Sequence, residues 1–352
     1  MFINFGCVSF FWHQGDSGDI ACCIWNCKTD DDYSGQGCKM LDFSRGDIIA
    51  ALVASFLWSF AYIGPTAVQP AGELLLVTGR YIVFGLCGIF VLYVDREEMK
   101  KVSLRRILFA LHLGVVGYLV FYIAVSYAVT FSGGFVTAII AGSAPIGIAA
   151  VGNILERRVP WGVLLSSVTL IFIGIYSISF TQSTGESSHY TAISMFGISL
   201  ALLASGAWTY FVVLNAHAQR TWVGLPTTRY WTALVAVGAG AGSLLLLPMA
   251  LISTPAETFS PIIFGNLLLW IFGLGFIGSW YGTYIWVRAA QRLPAALAGP
   301  LLATEAIFGA ILSLIWEQRL PTSFEAFGSF LIILGVVLCL YYELRKGRLR
   351  EV

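Results

Sequence analysis

Charge is what this chain has least of. Only 11% of its 352 residues are Asp, Glu, Lys or Arg, against about 25% in ordinary soluble domains, and the shortage excludes a soluble globular fold. The few charges nearly cancel, at +1 formally, so no global field selects nucleic acid or an acidic partner. Histidine is scarcer still: His13, His112, His189 and His217 are the whole set, and none stands at metal-ligand spacing from another. No G-x-S-x-G elbow, phosphate-binding loop or H-E-x-x-H helix occurs. Without a nucleophile and its base, a metal set or a cofactor motif, the chain does not read as an enzyme. Its start also has no basic region ahead of a long apolar stretch and no small-residue cleavage site, so it does not read as a signal peptide.

What is present is apolar: 58% hydrophobic residues and a mean hydropathy of +0.81. A helix needs about 20 mostly apolar residues to cross the hydrocarbon. Ten runs approach or reach that length, at approximately 47–64, 73–94, 106–129, 133–155, 160–180, 193–215, 229–252, 262–287, 293–316 and 321–343. Barrel strands would alternate rather than run uniformly apolar, so the spans are read as helices. The expectation is an all-α integral membrane protein of ten transmembrane helices.

Five of the seven cysteines, Cys7, Cys22, Cys23, Cys27 and Cys38, crowd into the first 40 residues. They lack the second spaced pair of a zinc site, and His13 is the only nearby histidine. Residues 1–46 are therefore read as a poorly ordered cytoplasmic tail, with Met40 standing where a compact protein would begin. A basic tail, 344–352, ends the chain.

Orientation follows from the cations, which favour cytoplasmic loops. With the N-terminus inside, that side collects Arg45, the group from Arg96 to Arg106, Arg157 and Arg158, Arg220 and Arg229, Arg288 and Arg292, and the C-terminal tail. The outside receives only Arg319. Both termini are thus expected in the cytoplasm.

The chain also repeats itself. Glu156-Arg157-Arg158-Val159-Pro160 matches Glu317-Gln318-Arg319-Leu320-Pro321 at an offset of 161 (317 − 156), which also pairs Gly117 with Gly278 and Ala128 with Ala289. ALVASFLW at 51–58 matches ALLASGAW at 201–208, and Arg80-Tyr81 matches Arg229-Tyr230. Each half, 47–180 and 193–343 with the loop 181–192 between, holds five spans. Five is odd, so the second half enters from the opposite face. The result is a 5+5 inverted-topology repeat, an arrangement in which transporters place a midplane site between the halves.

At these residues the sequence resembles the drug/metabolite transporter superfamily, in its EamA-like ten-helix form, over about residues 46–343. The markers are Trp58 and Trp208 in the first helix of each half, Arg80, and the fourth-helix pattern of small residues with Pro145 and Glu156. Thr304-Glu305 and Glu317 are the ninth-helix relatives. GRYIVFG, WTYFVVLNA and LAGPLLATEAIFG are similar to the YtfF-like inner-membrane branch. One departure is that Ala306 stands opposite Pro145, while the second half carries its proline at Pro300. The resemblance implies a multi-pass protein of the cell inner membrane, a secondary carrier of small metabolites such as amino acids, with a central cavity. A membrane sensor or assembly subunit on the same scaffold is the alternative.

Glu305 is the sharpest candidate for a pathway residue. A charged side chain at the bilayer centre costs roughly 2.5 to 3.5 kcal/mol on insertion scales, so this one should face a wet cavity or a protein partner. Arg80 reads as a structural or coupling charge. Tyr118 and Tyr122, and Trp280 and Tyr284, lie four apart, each pair on one helical face. The repeat brings the two pairs within one position of each other, so both are expected to line one central space, with Trp58, Tyr62 and Trp208 as walls. Tyr210 also belongs to that aromatic set. Ser143, Pro145, Pro300 and Thr304 mark places where helices approach closely and free backbone carbonyls. The expected partners are a small-molecule substrate and the lipid bilayer, with the protein a monomer or homodimer.

Overall fold

A computed structural model describes residues 10–14, 20–24, 39–41, 44–156, 160–183, 188–222, 226–293 and 295–349. Most of the expected N-terminal tail lies outside these residues. Within it, the backbone of Phe10–Gln14, Ile20–Ile24 and Lys39–Leu41 forms a small antiparallel sheet. The body of the protein is all-α.

The helices are α1 (Arg45–Ser59), α2 (Glu73–Val94), α3 (Leu104–Ser132), α4 in two pieces (Gly134–Ala141 and Ala144–Glu156) and α5 (Trp161–Ser183). The second half follows with α6 (Ser188–Thr221), α7 (Thr228–Ser253), α8 (Pro261–Ala290), α9 (Ala295–Trp316) and α10 (Ser323–Leu349). Among the described residues seven helices, α2 to α8, are long and apolar enough to cross a membrane, and shorter apolar helices occupy Pro300–Trp316 and Ser323–Cys339. The first expected span is shorter than its apolar run. After Ser59 the chain passes through a 3-10 turn, Phe60–Tyr62, and a four-residue helix, Gly64–Ala67.

The packing repeats when the halves are exchanged. In the first half α1 lies against α8 and α9; in the second, α6 lies against α3 and α4. The pairs α2/α7, α4/α9 and α5/α10 map onto themselves. Two of these self-paired crossings are glycine on glycine. A Cβ on Gly85 would come within 2.8 Å of the Gly240 Cα, and a Cβ on Gly174 or on Gly328 would come within 2.5 Å of the other's carbonyl oxygen. Lipid tails are as apolar as leucine, so van der Waals packing has to hold helices together in a bilayer, and small residues permit the closest approach. Large apolar side chains instead face outward, Leu245, Ile252 and Ile262 being more than four-fifths exposed. Such a surface suits lipid and would be untenable in water.

Two local rules set the helix ends that matter. Gly133 has φ 84°, a conformation other residues rarely adopt, and it alone separates α3 from α4. At the start of α10 the Thr322 N–H donates to the Glu325 carboxylate (2.8 Å), and the Glu325 N–H donates to the Thr322 hydroxyl (3.2 Å), a reciprocal cap.

The buried Glu325 also receives both Arg319 Nη1 (2.8 Å) and Nη2 (3.2 Å), while Arg319 Nε reaches Glu317 at 2.6 Å. Burial works against the Arg319 charge, but its hydrogen bonds to Glu325 and Glu317 outweigh that and hold the guanidinium above its ordinary range. The Gly134 N–H donates to Glu317 at 3.3 Å, so this cluster ties the end of α9 and the start of α10 to α4. Glu317 is thus a turn residue, as its place in the sequence suggests; Arg157 and Arg158 of the matching turn lie outside the described residues. Glu325→Gln should lower stability by about 1 to 2 kcal/mol, discounted because Arg319 is partly exposed. A fall in the thermal midpoint of the purified protein checks this, and an unchanged midpoint would show the cluster to be inert.

Candidate functional site

A cavity of about 80 Å³ lies where the two halves meet, and both contribute walls. From the first half come Trp58 of α1 and Tyr62 just after it, Arg80 and Tyr81 of α2, Tyr118 and Phe121 of α3, and the Gly142–Pro145 region of α4. The second half supplies Trp208 of α6, Ser279 and Thr283 of α8, and Leu302, Ala303, Glu305 and Ala306 of α9.

Each wall has a local cause. Proline lacks an N–H and clashes with the preceding turn, so Pro145 goes with a break in α4, whose helical hydrogen bonding stops at Gly142 and Ser143. Ser143 turns away, its hydroxyl donating to the Ile140 carbonyl at 2.7 Å. In α9 the aligned residue is Ala306, and the helix is continuous from Ala295 to Trp316 with Pro300 inside its N-terminal part. Thr304 donates to the Leu301 carbonyl (2.6 Å), and neither it nor Pro300 is part of the cavity wall. The cavity therefore lies between a broken helix and an unbroken one.

The largest departure from the sequence reading is in α8. As a regular helix it would carry Trp280 and Tyr284 inward, opposite Tyr118 and Tyr122. It contains instead a π-helical stretch, Gly273–Gly282, and α3 contains one at Val115–Val120. In α8 it is Ser279 and Thr283 that face the cavity. Trp280 packs on Phe84 instead, and Tyr284 is about half exposed on the outside of the bundle. The signal was in the repeat: an offset of 161 carries Tyr118 and Tyr122 onto Ser279 and Thr283, not onto their neighbours.

Trp58 donates its indole N–H to the Gly278 carbonyl inside that π stretch, at 3.1 Å. Trp58→Phe keeps the ring bulk and removes this donor, and should lower stability by about 1 kcal/mol. A thermal midpoint equal to the parent's would show that the bond contributes nothing.

Two opposite charges share the cavity. Glu305 is half-buried, within hydrogen-bonding reach of the Tyr62 hydroxyl, and it feels the field of Arg80. Arg80 is buried, 6% exposed. Its Nε donates to Ser279 Oγ at 2.9 Å, and its guanidinium carbon lies 4.0 Å from the centre of the Tyr122 ring. Tyr122 is fully buried beneath it, outside the cavity wall, and donates its hydroxyl to the Ala61 carbonyl at 3.2 Å. Arg80 therefore does not snorkel to an interface; its neighbours hold it in the interior. Around the charges run rings in contact: Tyr118 touches Tyr81, Phe84, Trp208 and Phe211. Tyr210 points away from the cavity and pairs with His112 at 3.0 Å.

A cavity between paired halves is where transporters built as inverted repeats place their site. Residues 195–341 match the EamA-like transporter family. That match covers the second half of the chain. Inner membrane protein YtfF of Escherichia coli (strain K12) is 26% identical over 315 residues, covering 83% of this chain and 94% of its own. A solved crystal structure, 16% identical, superimposes with a TM-score of 0.52 over 83% of this chain and 96% of that one, a likeness of fold alone.

Proposed function

We propose that this protein is a secondary transporter of the cell inner membrane that exports small organic metabolites, amino-acid-like or amphipathic, by alternating access. The observation that carries the reading is the cavity itself. It sits at the junction of two equivalent halves, takes walls from both, and holds Arg80 and Glu305 among aromatic rings. Rocking of one half against the other around such a place opens it to each face in turn. Both termini lie in the cytoplasm in this reading, as the distribution of Lys and Arg requires. One guanidinium beside one carboxylate suits a small solute of low net charge better than a phosphate ester, whose charge calls for clustered arginines.

The test has two stages. Spent medium from overexpressing and deletion cells is compared across metabolites, and the solute that differs most is then followed in proteoliposomes by counterflow. Accumulation outside overexpressing cells, with counterflow of the same solute, is the expected result. Binding without exchange would replace the carrier by a sensor on the same scaffold.

A further inference from the structure

Arg80 carries more donors than its surroundings use. The guanidinium is buried, its Nε–H is taken by Ser279, and its face is covered by Tyr122, yet Nη1 has no hydrogen-bond partner. A buried polar atom left unpaired is costly, and an arginine in an apolar bundle doubly so. Glu305 shares the cavity but forms no ion pair with it; Arg80 has Ser279 as its hydrogen-bonded anchor, and Glu305 has Tyr62 within reach. The arrangement fixes the arginine from behind and below and leaves one arm of the fork buried and unpartnered in a residue that lines the cavity.

We infer that Arg80 is the docking point for a carboxylate group of the transported solute, with Ser279 and Tyr122 holding the guanidinium in position for it. The inference rests on the carrier reading of the cavity and names the chemistry that the cavity selects. A planar fork with a free donor arm is matched by a carboxylate, and charge-assisted bonds of this kind are about twice as strong as neutral ones. The solute carries a single carboxylate: a second would meet Glu305 across a cavity of only about 80 Å³. A small apolar body then lies against the rings, and an amine, where present, faces Glu305.

The experiment reads the thermal midpoint of the purified protein with solutes that share one body and differ in head group: L-leucine, 4-methylpentanoate and L-leucinamide, with the alanine and phenylalanine counterparts of each, and succinate as a dicarboxylate. Acids and zwitterions of at least one body should stabilise the protein at concentrations tenfold or more below those at which the matching amide does, and succinate should not stabilise it. In Arg80→Gln that preference should vanish. In Ser279→Ala, which keeps the arginine and loosens its anchor, the preference should shrink. Amides as effective as acids, no stabilisation by any carboxylate, or an Arg80→Gln protein that keeps the preference would each overturn the inference. The comparison of head groups on the unmodified protein stands even if Arg80→Gln fails to fold. A carboxylate preference in a protein that shows no counterflow would sink the carrier reading and leave the docking group in place.

Discussion

Glu305→Gln is expected to abolish the pH dependence of transport and to reduce concentrative movement of the solute by tenfold or more, while counterflow persists. Glutamine keeps the length of the side chain and can still pair with Tyr62, but it cannot exchange a proton. Ionisable groups held within membrane helices are characteristic of proton relays in pumps and transporters. Glu305 is the one carboxylate in the cavity wall, on an unbroken apolar helix and opposite the field of Arg80. Counterflow exchanges like for like and requires no net proton movement, so the two assays separate coupling from binding. Glu305→Asp, which restores a carboxyl group, should bring the pH dependence back at least in part. A Gln variant with the parent's pH profile and the parent's accumulation would remove Glu305 from the coupling step.

The other large effect is expected at Gly114. A Cβ there collides with the backbone carbonyl of Val235 and lies 2.8 Å from the Ala239 nitrogen, and Gly238 on α7 meets the Leu111 backbone of α3 in the same way. Backbone cannot step aside as a flexible side chain can. Overpacking a well-filled interior usually costs about 1 to 3 kcal/mol; Gly114→Leu, which drives two helices apart, should exceed that range and leave little monodisperse protein after extraction. Gly162→Leu is the control, because nothing lies within 4 Å of a Cβ at that position. Equal monodispersity and equal thermal midpoints for the two variants would mean that α3 and α7 do not touch through their backbones.

Composition and periodicity carried most of the architecture. Long apolar runs leave little choice but helices, and the polar matches between halves, Trp58 with Trp208 and Glu156 with Glu317, revealed the duplication that the exchange-symmetric packing reproduces. The ends of α3, α7 and α8 fall within a few residues of the apolar runs, since charge and turn residues mark where lipid stops. The cavity was only partly legible. Trp58, Tyr62, Arg80, Tyr118, Pro145, Trp208 and Glu305 line it, and each is an aromatic, a charge or a proline standing out from an apolar background. Tyr81, Ser279 and Thr283 were not singled out, because small hydroxyl residues and a tyrosine beside an arginine are common in such helices. Trp280 and Tyr284 were misplaced for a sharper reason. The aromatic pair was chosen over the hydroxyl residues one position earlier, which have the same four-residue spacing. Only strict use of the repeat offset would have separated the two pairs.

The widened π-helical turn also bears on the symmetry of the cavity. It occurs in both halves at aligned places, around Gly117 and around Gly278, in stretches that otherwise share little sequence. The halves differ in what they present there, Tyr118 in one and Ser279 and Thr283 in the other, so that the cavity has unlike sides.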